Sequence, residues 1–92
     1  MPASPVFKLA LGQAAAQRRE ELGITQETLA NDSGLHQRWI SNVETGKRNP
    51  SYSSLRRLAD GLDLTASELI ARAEQIEASG PQAPKAPAAA KR

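Results

Sequence analysis

The chain has 92 residues, with 12 Lys and Arg against 10 Asp and Glu, one histidine and no cysteine. This length suffices for one domain, and the lack of cysteine excludes disulfides and thiolate metal sites. A single histidine argues against zinc, and no apolar run approaches the ~20 residues of a membrane span. The N-terminus lacks signal-peptide features, so we expect a cytoplasmic protein without metal or cofactor.

The charge is unevenly distributed along the chain. Residues 79–92 hold three basic residues and no acid, so residues 1–78 carry nine basic and ten acidic residues, a net −1. Within that part, residues 36–57 have five basic residues against one acid, and residues 58–78 have one against five. A basic segment in a near-neutral domain indicates nucleic-acid binding, with an ordinary solvated surface as the alternative.

Apolar residues at spacings of three and four predict helices and no strand. The first helix is expected at about 5–22, followed by Gly23 in a position that suits left-handed backbone. The second starts at Thr25, whose hydroxyl suits an N-cap, and ends near Asp32 before Gly34.

Three further helices are predicted after Gly34. The third spans about 36–45 and is stopped by Gly46. The fourth is capped by Ser51, and the fifth opens with Thr65 and Glu68 at the spacing of a capping box. The residues that the fourth helix is expected to bury are Leu55, Leu58, Ala59 and Leu62.

The C-terminal stretch "SGPQAPKAPAAAKR" is rich in Pro, Ala and Lys. It has no large apolar side chain to bury and is therefore predicted to be disordered. The sequence thus indicates an all-α, compact five-helix domain over residues 1–78 and a disordered tail over residues 79–92.

The third helix separates polar from apolar side chains. At about 100° per residue, one arc of about 140° holds the polar residues, and the opposite side holds Trp39, Ile40 and Val43. The polar residues on that arc are Gln37, Arg38, Ser41, Asn42 and Thr45. Amide and guanidinium groups can pair with base edges in a major groove that admits one helix. The alternative, a plain solvent-exposed face, would more often hold Glu and Lys.

The second and third helices have the arrangement of a helix-turn-helix, because both are short and a glycine-containing turn joins them. Ala30 is small enough to let the two helices approach closely. Gly34 suits the left-handed turn, and Leu35 and Ile40 are expected to fix the third helix onto the core.

A longer set of residues extends this pattern over about 60 positions without insertion. It consists of "LG" at 11–12, Arg19, "GITQETLA" at 23–30, Gly34, "WIS" at 39–41, "VETGKRNPS" at 43–51, "LRRLADGLDL" at 55–64 and "SEL" at 67–69. This set resembles the lambda-repressor/Cro-like (XRE-type) helix-turn-helix domains. The resemblance implies a small transcriptional regulator that binds double-stranded DNA sequence-specifically, with helix 36–45 in the major groove.

The resemblance also implies residue roles. Positions that read bases are matched by Gln37, Arg38 and Asn42, with Ser41 beside them. Positions that contact the phosphate backbone are matched by Gln26, Thr45, Lys47 and Arg48, together with backbone N–H groups around Gly46. Arg19 and Glu44 match an ion pair that ties the first helix to the end of the third.

Some residues depart from the pattern of the family. His36 stands where Ser, Thr or Asp usually caps the third helix, so a poorer cap is expected. Thr28 replaces the Glu that usually completes a capping box with Thr25. Asp63 replaces a frequent Gly and is expected to strain the turn after the fourth helix. Trp39 replaces a frequent Tyr and packs on the core, either with its indole N–H available to a phosphate or through packing alone.

Assembly and partners follow from the same resemblance. Regulators of this type usually bind two half-sites as dimers, which predicts a palindromic operator and a weak homodimer through the fifth helix. Its residues Ile70, Ala73 and Ile76 either form that interface or complete the core of the monomer. An antitoxin or another protein-interaction module is the alternative function. No catalytic constellation or small-molecule site is evident, so we expect neither an enzyme nor a ligand sensor.

Overall fold

The computed structural model describes residues 5–80, which form five helices: α1 (Pro5–Leu22), α2 (Gln26–Ser33), α3 (Gln37–Glu44), α4 (Tyr52–Gly61) and α5 (Ala66–Ser79). The predicted all-α, five-helix fold with a central helix-turn-helix is confirmed. One boundary is corrected, because Ser79 belongs to α5 and its hydroxyl donates to the Gln75 carbonyl at 3.0 Å. The rest of the predicted tail lies outside the described residues.

The polar residues predicted to start the helices act as caps. The hydroxyls of Thr25 and Ser51 each accept a backbone N–H three residues further on. Thr65 and Glu68 form both hydrogen bonds of a capping box, at 3.1 and 2.8 Å. His36 makes no side-chain cap bond. The start of α3 therefore lacks the stabilisation of about 1 kcal/mol that a good N-cap typically provides.

Two turns use left-handed backbone. Gly34 has φ +73° and its N–H donates to the Ala30 carbonyl at 3.0 Å, which ends α2 and turns the chain into α3. Asp63, after α4, has φ +58°, as expected from its place in the sequence. The Arg18 Nε donates to the adjacent Leu62 carbonyl at 2.9 Å and thereby ties this strained turn to α1.

A single core of Leu, Ile, Val and Ala lies between the helices. α1 packs against α5 and α3, and α2 packs against α3 and α4. All four residues that α4 was expected to bury are buried. At the end of α1, however, Leu22 is 37% exposed although it continues the apolar spacing of that helix. The periodicity extends one turn beyond the surface that the other helices cover.

The structure decides between the two roles left open for Ala73 on α5. Ala73 has no exposed surface and belongs to the core of the monomer. Ile70 and Ile76 are half-buried and pack against that core. Ile70 lines a groove shared with α4, whereas Ile76 lines a separate groove shared with α1. The three residues therefore do not form one continuous outward apolar strip.

The described residues contain neither a membrane-spanning helix nor a cluster of metal ligands. None of their helices is long and apolar enough to cross a membrane. Between residues 5 and 80, no group of three or more His, Asp or Glu residues is placed to hold a metal ion.

Candidate nucleic-acid interface

The helix α3 is anchored to the core on one side only. Ile40 and Val43 are 0% and 1% exposed, and the half-buried Trp39 packs against the core beside them. Because these apolar residues are three and four apart, the polar residues between them must face outward. Gln37 and Arg38, in the first turn of α3, are exposed.

The outward side of α3 carries the four residues expected to read bases. Gln37 and Arg38 are exposed, whereas Ser41 and Asn42 are half-buried. Within residues 5–80, none of these four side chains forms a hydrogen bond or an ion pair. Their amide, hydroxyl and guanidinium groups therefore retain their full hydrogen-bonding capacity for an external partner.

The turn after α3 differs from expectation in its backbone groups. The Gly46 and Lys47 N–H groups donate to carbonyl oxygens of α3 at 3.0 and 2.8 Å. They terminate the helix and are not available to phosphates, so the expected phosphate contact through N–H groups around Gly46 is wrong for these two. The Thr45 hydroxyl also donates to an α3 carbonyl, at 2.9 Å. The Lys47 and Arg48 side chains are exposed.

Apart from the half-buried Lys8 on α1, the cationic side chains of the described residues fall into two groups. Arg18, Arg19 and Arg72, on α1 and α5, form ion pairs with glutamates. The exposed cations without an ion pair among the described residues are Arg38, Lys47, Arg48, Arg56 and Arg57. The unneutralised charge is thus concentrated on α3, α4 and the turn between them. Arg56 and Arg57 were not among the predicted contact residues, although the basic segment 36–57 contains them.

The Arg19–Glu44 ion pair is present and is nearly enclosed. Arg19 Nε and Nη2 donate to the two Glu44 carboxylate oxygens at 2.7 and 3.1 Å. The two side chains are only 16% and 7% exposed. The hydrogen bond to Glu44 raises the pKa of Arg19 above its ordinary value. Arg19 Nη1 also donates to the Ile24 carbonyl at 3.0 Å, so one guanidinium joins α1, the α1–α2 turn and α3.

Gln26 joins the same ion pair. Its Nε2 donates to Glu44 Oε1 at 2.9 Å across 18 positions of the sequence. This bond was not predicted, because Gln26 was expected only to contact a phosphate. One amide hydrogen remains for such a contact. The Trp39 indole N–H has no partner in the described part of the chain and also remains available.

Comparison with known proteins places this geometry in a family. Residues 10–72 match the model of a helix-turn-helix domain. Over 60 residues, 65% of this chain, the sequence is 38% identical to the HTH-type transcriptional regulator y4dJ of Sinorhizobium fredii, and the match covers 78% of that protein.

Solved structures with the same fold include two restriction-modification controller proteins. C.AhdI from Aeromonas hydrophila is 39% identical, with a TM-score of 0.64 over 66% of this chain and 92% of that one. C.Esp1396I, solved as a tetramer with its natural 35 base-pair operator, is 26% identical, with a TM-score of 0.72 over 78% of this chain and 95% of that one. This chain therefore belongs to the helix-turn-helix domain family, in the lambda-repressor/Cro-like (XRE) type that its sequence resembles.

Proposed function

We propose that this chain is a transcriptional regulator that binds a specific double-stranded DNA operator with α3 in the major groove. The observation that carries the proposal is the outward side of α3. Its amide and guanidinium groups have no partner in the described part of the chain, while Ile40 and Val43 hold the helix rigidly from behind. An isolated helix of eight residues is marginal in water, so this packing is needed to present the polar side in one orientation.

The chemistry of α3 suits direct base reading. Gln37 and Asn42 each carry an amide that can pair bidentately with adenine, and Arg38 carries a guanidinium that can do the same with guanine. Ser41 can donate to or accept from either kind of base edge. Because Ser41 and Asn42 are half-buried and less mobile than exposed side chains, they add selectivity with little loss of side-chain entropy on binding.

Backbone contacts are proposed on both sides of α3. Lys47 and Arg48 follow the helix and are exposed, and the exposed Arg56 and Arg57 add positive charge on α4. Phosphate contacts of this kind fix the register of a protein on DNA without reading sequence. Three further groups complete the proposed polar rim: the remaining amide hydrogen of Gln26, the Thr45 hydroxyl as an acceptor, and the Trp39 indole N–H.

We also propose that two copies bind a palindromic operator. One such unit reads only a few base pairs, and C.Esp1396I is a tetramer on its operator, which supports association on DNA for a related protein. Since Ala73 is buried, a contact between copies through α5 would use the exposed flanks of this helix, and Ile76 with the α1–α5 groove is our candidate. The proposed role is binding without catalysis, at DNA in the cytoplasm.

Selection of bound duplexes from a random DNA pool tests this function. The expected result is enrichment of one motif with two-fold symmetry and half-sites about one helical turn apart. The same pool carried through without protein is the control. Recovery of unselected sequences at physiological salt would overturn the assignment.

A further inference from the structure

The carboxylate of Glu44 is a junction between three helices. Glu44 is the last residue of α3 and accepts N–H groups from Arg19 of α1 and from Gln26, the first residue of α2. Arg19 itself lies in the last turn of α1. The end of α1, the start of α2 and the end of α3 are therefore linked through the carboxylate of Glu44.

The junction fixes the orientation of the Gln26 amide. An ionised carboxylate only accepts hydrogen bonds, so the Gln26 NH₂ group must face Glu44 and its carbonyl oxygen must face away. The carboxylate is 7% exposed, and Arg19 compensates its charge with two donors. A neutral group of the same shape at position 44 would lose this charge-assisted bonding and would present donors to donors.

The junction also lies between two places suited to phosphate binding. Gln26 starts α2, where first-turn N–H groups and the positive end of the helix dipole face outward. Glu44 is the last residue of α3 and lies three residues before Lys47, which with Arg48 forms the exposed cations of the following turn. The 2.9 Å bond between Gln26 and Glu44 holds the start of α2 beside this turn.

We propose that Glu44 is a positioning residue for DNA binding, which sets the Gln26 amide and the start of α2 in register with the base-reading side of α3. This inference rests on the function proposed above. Glu44 acts through Gln26 and Arg19 and does not touch DNA itself. In this proposal, the geometry that Glu44 imposes outweighs the repulsion between its negative charge and DNA.

The direction in which Glu44→Gln changes DNA affinity distinguishes a positioning role from a purely electrostatic one. Removing a negative charge near DNA should strengthen binding if only charge matters. Glu44→Gln keeps the size of the side chain, yet we expect it to weaken operator binding by about tenfold. Glu27→Gln is the matched control, because Glu27 is an exposed carboxylate in the first turn of α2 with no side-chain bond in the described part of the chain. It should leave affinity unchanged or raise it slightly.

A double-mutant cycle tests whether Glu44 acts through Gln26. Gln26→Ala should weaken operator binding several-fold in the parent chain but by less than about twofold in the Glu44→Gln background. Circular dichroism and melting curves establish that each variant is folded at the binding temperature. Equal effects of Gln26→Ala in both backgrounds, or tighter binding by Glu44→Gln, overturn the inference while the proposed function stands.

The positioning role of Glu44 can also be tested without DNA, separately from the proposed function. In the free protein, the side-chain amide NMR signals of Gln26 should move toward random-coil positions in Glu44→Gln, because the bond to the carboxylate is lost. Unchanged signals overturn the positioning role without bearing on DNA binding. Failure of the parent chain to bind any selected duplex overturns the proposed function and this inference together.

Discussion

Gly12 of α1 lies against Val43 of α3 so closely that a β-carbon on Gly12 would overlap the Val43 carbonyl oxygen. The same β-carbon would lie 2.8 Å from the carbonyl oxygen of Glu44. Gly12 is inside a helix, so it is needed for space and not for unusual backbone angles. The backbone of α1 thus packs directly against the end of α3.

Gly12→Ala should therefore destabilise the domain even though Ala favours a helix over Gly by about 1 kcal/mol. The obstructing atoms are backbone atoms of α3, which cannot rotate away, so we expect a net loss of about 1–3 kcal/mol in urea denaturation. Gly61→Ala is the comparison. Its β-carbon would meet the Leu29 side chain at 2.7 Å, and because that side chain can rotate, this variant should lose less stability. A Gly12→Ala variant as stable as the parent would contradict the close packing of α1 on α3.

The pH dependence of stability should contain a contribution from Glu21. Hydrogen bonds from Arg72 and Arg18 hold the pKa of Glu21 below its ordinary value. A folded-state pKa below the unfolded one means that the stabilisation is present above the ordinary glutamate range, centred on about pH 4.3, and is lost as pH falls below it. Glu21→Gln should flatten this acid loss in melting curves between about pH 6 and 3, whereas the control Glu27→Gln should not. Because Glu21 is exposed, the effect should also shrink at high salt.

Local signals in the sequence predicted most of the fold. The capping box of Thr65 and Glu68, the left-handed Gly34 and the buried side of α3 each depend on residues close in sequence. Such features follow from helical spacing and from the chemistry of single side chains, which explains why these predictions agree with the structure.

Features that depend on how distant elements meet could not be predicted. The Gln26–Glu44 bond spans 18 positions, and the close approach at Gly12 involves two helices that are not neighbours in the sequence. The sequence left Ala73 either as a dimer contact or as part of the monomer core, because periodicity identifies an apolar side but not which helix covers it. The N–H of Gly46 was assigned to phosphate because the sequence does not reveal how α3 terminates.

Replacing Lys47 or Arg48 by Ala should weaken binding to all duplexes alike. These exposed side chains follow α3, and we propose that they contact phosphates and not bases, so the slope of log affinity against log salt should become shallower by about 1 for each. Titrations at several salt concentrations, with the selected operator and a scrambled duplex, provide the measurement. A changed base preference with an unaltered salt slope would mean that these residues read bases.

Ile76→Glu should reduce association of two copies on a palindromic operator without unfolding the domain. Ile76 is half-buried beside the α1–α5 groove, so a charge there would disfavour a close contact with a second copy. Sedimentation and binding cooperativity are the measurements, with Ala78→Glu as an exposed control on the same helix. Unchanged cooperativity in a folded Ile76→Glu variant would exclude this flank of α5 as the interface.

Base reading by α3 is tested most directly by comparing the base preference of Gln37→Ala and Asn42→Ala with that of the parent chain. Each substitution removes one amide from the outward side of α3 and leaves the buried Ile40 and Val43 in place. We predict that each variant loses about 1–3 kcal/mol of discrimination between the selected operator and single-base variants, while binding to a scrambled duplex stays the same. If both variants discriminate among these duplexes as well as the parent does, α3 is not the helix that reads DNA.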